Sequence, residues 1–252
     1  MTSWDNLVEP GAVMRAAICG DWHGNQFFAA RAIRYAKEHH ADVILHVGDF
    51  AYRFAPKFMA HVQRTLEDTG LTLGFVPGNH DDYTYLDCKQ AEYGATAIPL
   101  RPNIFYLPRN YRWEWNSVPF LAMGGAVSVD KKWRQPGREW WPRETIDQDE
   151  ARQAIDEGPV GVMICHDVPD GVRIPCIEGN PFGFPADVLA EADQHRRLLR
   201  QIVDGVKPMY LFAGHYHCRL TDVLHGDGFE TVVNILDGDG GDLENNVTFL
   251  DI

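Results

Sequence analysis

Seven oxygen- and nitrogen-bearing side chains of the kinds that ligate metals follow closely on short apolar runs in this chain. Residues 14–19 lead to Asp21 and His23, and residues 43–47 to Gly48-Asp49. Residues 71–77 lead to Gly78-Asn79-His80-Asp81, residues 160–165 to His166-Asp167, and residues 209–213 to Gly214-His215-Tyr216-His217. Carboxylate, amide and imidazole together suit divalent ions of the manganese, iron, zinc, cobalt or nickel kind, with magnesium a weaker match to the imidazoles.

Each residue also has a plainer reading. Asp21 could cap a following helix. Gly78-Asn79 is a common turn pair. A single histidine at a strand rim is more often satisfied locally than bound to metal. The pairs Asp21/His23 and His215/His217 are harder to dismiss, because residues two apart on extended chain point the same way. Asp49 has two oxygens and could bridge two cations. Five such segments, each ending an apolar run, are best explained by convergence beyond the carboxyl ends of strands in an α/β sheet.

The elements that must position them are readable. Short apolar runs bounded by Gly predict buried strands at the five positions. Phe28, Ala29, Ala32, Ile33 and Ala36 fall at helical spacing within residues 25–40, and a second helix is predicted over 56–68. This βαβαβ rhythm predicts parallel pairing. Residues 86–141 change character, with short aromatic strand candidates at 104–107, 111–115 and 120–123 and five of the seven tryptophans. A short helix is predicted at 144–157, a loop at 171–185, a helix at 185–203, and three strands after 213 with a Gly/Asp-rich turn at 237–242. The expectation is one domain over residues 1–252, with residues 1–12 a leader or first loop.

The composition is that of a globular chain, 45% apolar and 23% charged. A formal net charge of -13 argues against broad nucleic-acid binding, which needs clustered Lys and Arg. Bound cations would still let a small phosphorylated substrate approach. Five cysteines in no dense framework and a polar start without an apolar signal segment point to a reduced, cytoplasmic protein. No run approaches the roughly 18 apolar residues of a membrane span.

Taken in order, the five segments resemble the calcineurin-like metallophosphoesterases, whose motifs run Asp-x-His, Gly-Asp, Gly-Asn-His-Asp/Glu, an isolated His, and Gly-His-x-His. Residues 124–130 (Gly-Gly-Ala-Val-Ser-Val-Asp) are similar to a segment of small bacterial and phage members. The resemblance implies a four-layer α-β-β-α sandwich of two mixed sheets flanked by helices. It implies two divalent ions, manganese foremost, one held by Asp21, His23, Asp49 and His217 and the other by Asp49, Asn79, His166 and His215. His80 would be catalytic, with Asp81 orienting it. His61, His195 and His225 match none of these motifs and are expected to take no part in the site. The implied reaction is phosphoester hydrolysis, a hydroxide bridging the ions attacking phosphorus in line. Lowering a water's pKa from about 15.7 to about 7 is worth roughly 12 kcal/mol of easier deprotonation.

Protein phosphatases of this family carry Gly-Asp-x-x-Asp-Arg-Gly. Here Arg53 aligns, but its flanking Asp and Gly are replaced by Tyr52 and Phe54. A small phosphodiester, such as a cyclic nucleotide, is therefore the expected substrate, and Arg53 a candidate phosphate contact. The alternatives are a phosphomonoesterase or protein phosphatase of the same fold, and a non-catalytic protein-binding module of the retromer-subunit type. The segment with Trp133, Trp140, Trp141, Arg134, Arg138 and Arg143 either lines a nucleotide pocket or packs a peripheral loop.

Overall fold

The structure is a computed structural model that describes residues 4–7 and 11–252. In chain order its elements are β1 (Arg15–Cys19), α1 (Gln26–Glu38), β2 (Val43–His46), α2 (Pro56–Thr69), β3 (Thr72–Phe75), α3 (Tyr83–Tyr93), β4 (Ile98–Arg101) and β5 (Ile104–Tyr106). There follow β6 (Arg112–Trp115), β7 (Val118–Met123), α4 (Gln148–Asp156), β8 (Val162–Cys165), α5 (Ala186–Val206), β9 (Tyr210–Ala213), β10 (Leu220–Gly226), β11 (Phe229–Ile235), α6 (Leu243–Asn246) and β12 (Val247–Asp251).

The strands form two six-stranded sheets, ordered β12-β1-β2-β3-β5-β4 and β10-β11-β9-β8-β7-β6. Within each, four strands run parallel and the edge strands antiparallel, so both sheets are mixed. Alternation along the strands builds the layers. In β1, Ala17 and Cys19 pack with α1 and α2 residues such as Ala32 and Val62, while Ala16 and Ile18 face the second sheet's Phe120 and Ile164. The other sheet is covered by α4 and α5 through Ala154, Leu199 and Ile202. The order of layers is therefore helix, sheet, sheet, helix, as the resemblance implied.

Two elements depart from expectation, α3 and α5. Of the segment expected to be a leader or first loop, residues 4–7 pack onto the fold. Trp4 is buried between the sheets, where its ring packs on Phe105, Trp113 and Trp115. The remainder of the leader, at 1–3 and 8–10, lies outside the described residues. Helix α3 is absent from the elements expected of the sequence. It buries Tyr83 and Leu86 alone and is started by the Asp82 side chain accepting the Tyr85 N–H, so it lacks the amphipathic stripe that reveals α1. Helix α5 runs on to Val206, beyond the predicted 203.

Among the described residues no helix is long and apolar enough to cross a membrane.

Candidate metal centre

The loops after β1, β2 and β3 of one sheet meet those after β8 and β9 of the other. His23 Nε2 lies 3.4 Å from Asp49 Oδ2, and His166 Nε2 lies 3.5 Å from the same oxygen. His217 Nε2 is 3.3 Å from Asp21 Oδ2, and His166 Nδ1 is 4.0 Å from Asp21 Oδ1. Asn79 Oδ1 is 3.1 Å from His166 Nε2. Two sets of ligand atoms each fall within 4.8 Å of one another: Asp21, His23 and His217, and Asp21, Asp49 and His166. Asp21 is common to both sets, and Asp49 Oδ2 lies between His23 and His166. The His215 side chain joins neither set. Its ring lies 5.1 Å from that of His166, and its backbone N–H donates to Asp21 Oδ2 at 3.0 Å.

The loops reach this geometry through uncommon backbone. His23, Asp49, His215 and His217 all adopt left-handed conformations, with φ of 47°, 54°, 70° and 47°. Gly48, at φ 105°, lets the β2 loop pass against the His166 ring, where a Cβ would sit 2.6 Å from Nδ1. Gly214 has an ordinary φ but no room. Its Cβ would stand 2.0 Å from Asp21 Oδ1.

The residues present fit divalent cations. Asp21 and His166 are fully buried, and Asp21 Oδ1 has no hydrogen-bond partner. An unsatisfied buried carboxylate oxygen is costly, and a cation at the meeting point of these side chains removes that cost. The field there already favours positive charge. Burial works against charging His23, but Asp239 and Asp49 overcome it and push its pKa up to about 11. His166 is likewise opposed by burial, yet Asp49 and Asp21 raise it to about 9. Protons thus occupy these imidazoles wherever cations do not.

Supporting groups fix each ligand's orientation. His166 donates from Nδ1 to the Val47 carbonyl at 2.8 Å, which turns Nε2 toward Asn79 and Asp49. Asp239 Oδ1 takes His23 Nδ1 at 3.0 Å and is itself held by Asn25. The Asn79 amide donates to Ser128 Oγ, and the Ser128 backbone N–H and hydroxyl both donate to Glu144, so the Asn79 oxygen faces His166. Buried His46 accepts the Gly48 N–H. Asp167, beside His166, accepts from Tyr216 at 2.6 Å and pairs with His195 Nδ1 at 2.8 Å. The expectation that His195 takes no part is thus corrected: from α5 it holds Asp167, which Tyr216 ties to the β9 loop.

His80 stands at the edge of the centre. Its backbone N–H donates to Asp49 Oδ1 at 2.8 Å, and its Nε2 is 3.9 Å from Asp49 Oδ2. The Arg134 guanidinium lies on the ring, in contact with Nδ1, and also pairs with Asp130 at 2.6 Å. Burial, aided by Arg134 and His23 against Asp49, lowers the His80 pKa and so favours the neutral ring.

Asp81 does not do what the resemblance implied. Its carboxylate accepts the backbone N–H groups of Phe50, Ala51 and Gly78 at 3.2, 2.9 and 2.9 Å, so it joins the β2 and β3 loops instead of orienting the His80 ring. Burial and Asp49 push its pKa up to about 7. Arg53 is exposed and lines the cleft beside His80. The tryptophans of the 133–141 segment do not line that cleft. Trp141 is buried with its Nε1 donating to Thr84, and Trp133 projects outward near Phe184, while Arg134 and Arg138 supply the wall. Asp239, Asn25 and Ser128 escaped the sequence reading, since single polar residues in loops carry no periodic signal. The Gly/Asp-rich turn at 237–242 and the 124–130 segment were the available hints.

A lariat debranching enzyme of Schizosaccharomyces pombe is 26% identical over 169 residues, covering 62% of this chain, so this chain spans about a third (35%) of that relative's length. The solved structure of TT1561 from Thermus thermophilus superposes with a TM-score of 0.57 at 13% identity, covering 96% of this chain and 99% of that one. A dimetal phosphatase from Danio rerio gives a TM-score of 0.55 at 11% identity, covering 96% and 92%. These two show a shared fold. The family model described as calcineurin-like phosphoesterase matches residues 14–219, a span that opens just before β1 and closes just past the His215–His217 loop. This chain therefore belongs to the calcineurin-like phosphoesterase family.

Proposed function

We propose that the protein is a dinuclear metal-dependent phosphoester hydrolase acting on small phosphodiesters. The observation that carries this is the partnerless, fully buried Asp21 Oδ1 among His166, Asp49, His23 and His217. That arrangement costs stability unless cations are held there. The description of the Danio rerio neighbour as a dimetal phosphatase accords with two ions. Manganese is the expected physiological choice, consistent with mixed carboxylate and imidazole donors.

Bound cations would supply Lewis acidity for the phosphoryl oxygens and acidify a water. The chain's own residues do the rest. Asp21, Asp49 and Asn79 from one sheet, with His166 and His217 from the other, bring the reacting groups to one point. Arg134 contacts both ring nitrogens of His80, Nδ1 and, at 3.3 Å, Nε2, and holds the ring with Nε2 3.9 Å from Asp49 Oδ2. Held there, the imidazole is placed to pass a proton to the leaving oxygen. The preference for diesters is supported by Tyr52 and Phe54 in place of the protein-phosphatase Asp and Gly, and by a cleft of about 520 Å³ with room for an organic group.

Manganese-loaded protein should hydrolyse bis-p-nitrophenyl phosphate with a higher kcat/KM than p-nitrophenyl phosphate, and chelation should abolish both activities. The opposite ranking would identify a phosphomonoesterase. Failure to cleave either ester with both ions bound would favour the protein-binding alternative.

A further inference from the structure

The cleft beside His80 has a charge that the rest of the chain does not. In a protein of formal net charge -13, its walls carry Arg53, Arg134 and Arg138 against one carboxylate, Glu139. Glu139 already accepts the Gln135 backbone N–H at 2.8 Å, and Arg134 is paired with Asp130. Arg53 and Arg138 line the same cleft and form no ion pair among the described residues, Arg138 Nη1 meeting only the neutral Gln135 Oε1 at 3.5 Å. Guanidinium groups without carboxylate partners favour an anion in the cleft they line, and their planar forks match phosphate oxygens.

The opposite feature is aromatic. Tyr52 is 41% exposed, with its ring 5.4 Å from that of His80 and 5.6 Å from that of His23. Its backbone is left-handed, as is that of Phe54, with φ of 45° and 52°. Bulky residues rarely adopt this conformation. The loop holds it because Phe50 and Phe54 are buried on either side, Phe50 stacked on Phe75 and Phe54 on Tyr85. The Tyr52-Arg53 pair is thereby displayed at the cleft on a well-anchored loop. Strained backbone of this kind clusters at ligand-binding positions.

We propose that this cleft is a subsite for a second phosphate, carried by the organic group of the scissile ester, with Arg53 and Arg138 as its ligands and Tyr52 the flat wall against a ring between the two phosphates. The inference rests on the phosphoester-hydrolase reading and narrows it to substrates of the phosphorylated-nucleoside class.

The test uses two p-nitrophenyl esters of a nucleoside 5′-phosphate, one bearing an additional 3′-phosphate, on the metal-loaded protein. The 3′-phosphate should raise kcat/KM tenfold or more, chiefly through KM, and R53A/R138A should bring the ratio of the two esters close to one. Arg53 and Arg138 are exposed, so the double variant should fold. As a second measurement, a nucleoside 3′,5′-bisphosphate should inhibit the wild type at much lower concentration than the 5′-monophosphate, and the variant should not distinguish them. Cleavage of both esters at equal efficiency by the wild type, or an undiminished ratio in the variant, overturns the subsite while leaving the hydrolase reading intact. Cleavage of neither overturns both.

Discussion

Replacing Gly214 by alanine adds one methyl group at the most crowded point of the metal centre. The added Cβ would lie 2.0 Å from Asp21 Oδ1 and 3.1 Å from a Val47 methyl. Reaching even a tight ordinary contact of 3.4 Å requires a shift of about 1.4 Å between the β1 and β9 loops. Gly214 has no left-handed φ, so the effect is steric and not conformational. Misplacing a reacting group by about 1 Å costs on the order of 10²-fold in rate. Overpacking of a tight site costs about 1–3 kcal/mol of stability. We expect Gly214→Ala to lower kcat/KM on bis-p-nitrophenyl phosphate at least 10²-fold, with loss of bound metal by elemental analysis. The metal-free variant should melt cooperatively, only a few degrees below the wild type. Gly240→Ala, whose Cβ would meet nothing within 4 Å, is the matched control. Wild-type activity and full metal content in Gly214→Ala would falsify the view that Asp21 is locked in place to hold a cation.

Other perturbations probe separate parts of the site. His80→Ala should lose about 10²- to 10⁴-fold in kcat while retaining its metals, and loss of the metals instead would make His80 a ligand. Metal binding near pH 7.5 should release about two protons per protein, from His23 and His166, as read by calorimetry in buffers of different ionisation enthalpy; no release would contradict the raised imidazoles. In the chelated protein those two histidines stabilise the fold fully below an unfolded value of about 6.5. That contribution falls as pH rises through about 9 for His166 and about 11 for His23, so melting temperature should decline over this range. His215, lowered to about 4 by burial, acts in the opposite sense below 6.5, while His217, raised by its bond to Asp21, adds to the alkaline decline. Asp81→Ala strands three backbone N–H groups, each worth about 1–3 kcal/mol, and should weaken both folding and metal affinity. A pure turnover defect with unchanged melting would restore the His80-orienting role.

Strand positions and ligand types were legible because both leave local marks. The apolar run of residues 160–165 ending at His166 has a simple physical cause, a strand buried on both faces whose last residue meets solvent or ligand. The ordering of five such runs then made convergence the natural reading. Helix α3 was not legible, because Asp82 starts it and it buries little, so no 3.6-residue stripe exists to read. Nor was the burial of Trp4, which depends on Gly74 leaving space for an indole ring from 70 residues away; a Cβ there would lie 2.3 Å from the ring. The partners of Asp81 and Asp167 were equally hidden. An Asp next to a ligand histidine can bond backbone, tyrosine or a distant histidine such as His195, and spacing does not decide among them. Arg134 illustrates the same limit, as its contact with His80 spans 54 residues.

The two sheets press together through Ile18, Leu45, Phe120 and Ile164, and the ligands descend from both. Asp21, Asp49 and Asn79 belong to one half, and His166 and His217 to the other. Ions held among them would tie the halves together at one end, much as a rivet closes two plates. Catalysis and cohesion would then share the same atoms. A descendant that gave up hydrolysis by discarding its histidines would also loosen the joint between its halves, and would need new packing at that rim to stay folded.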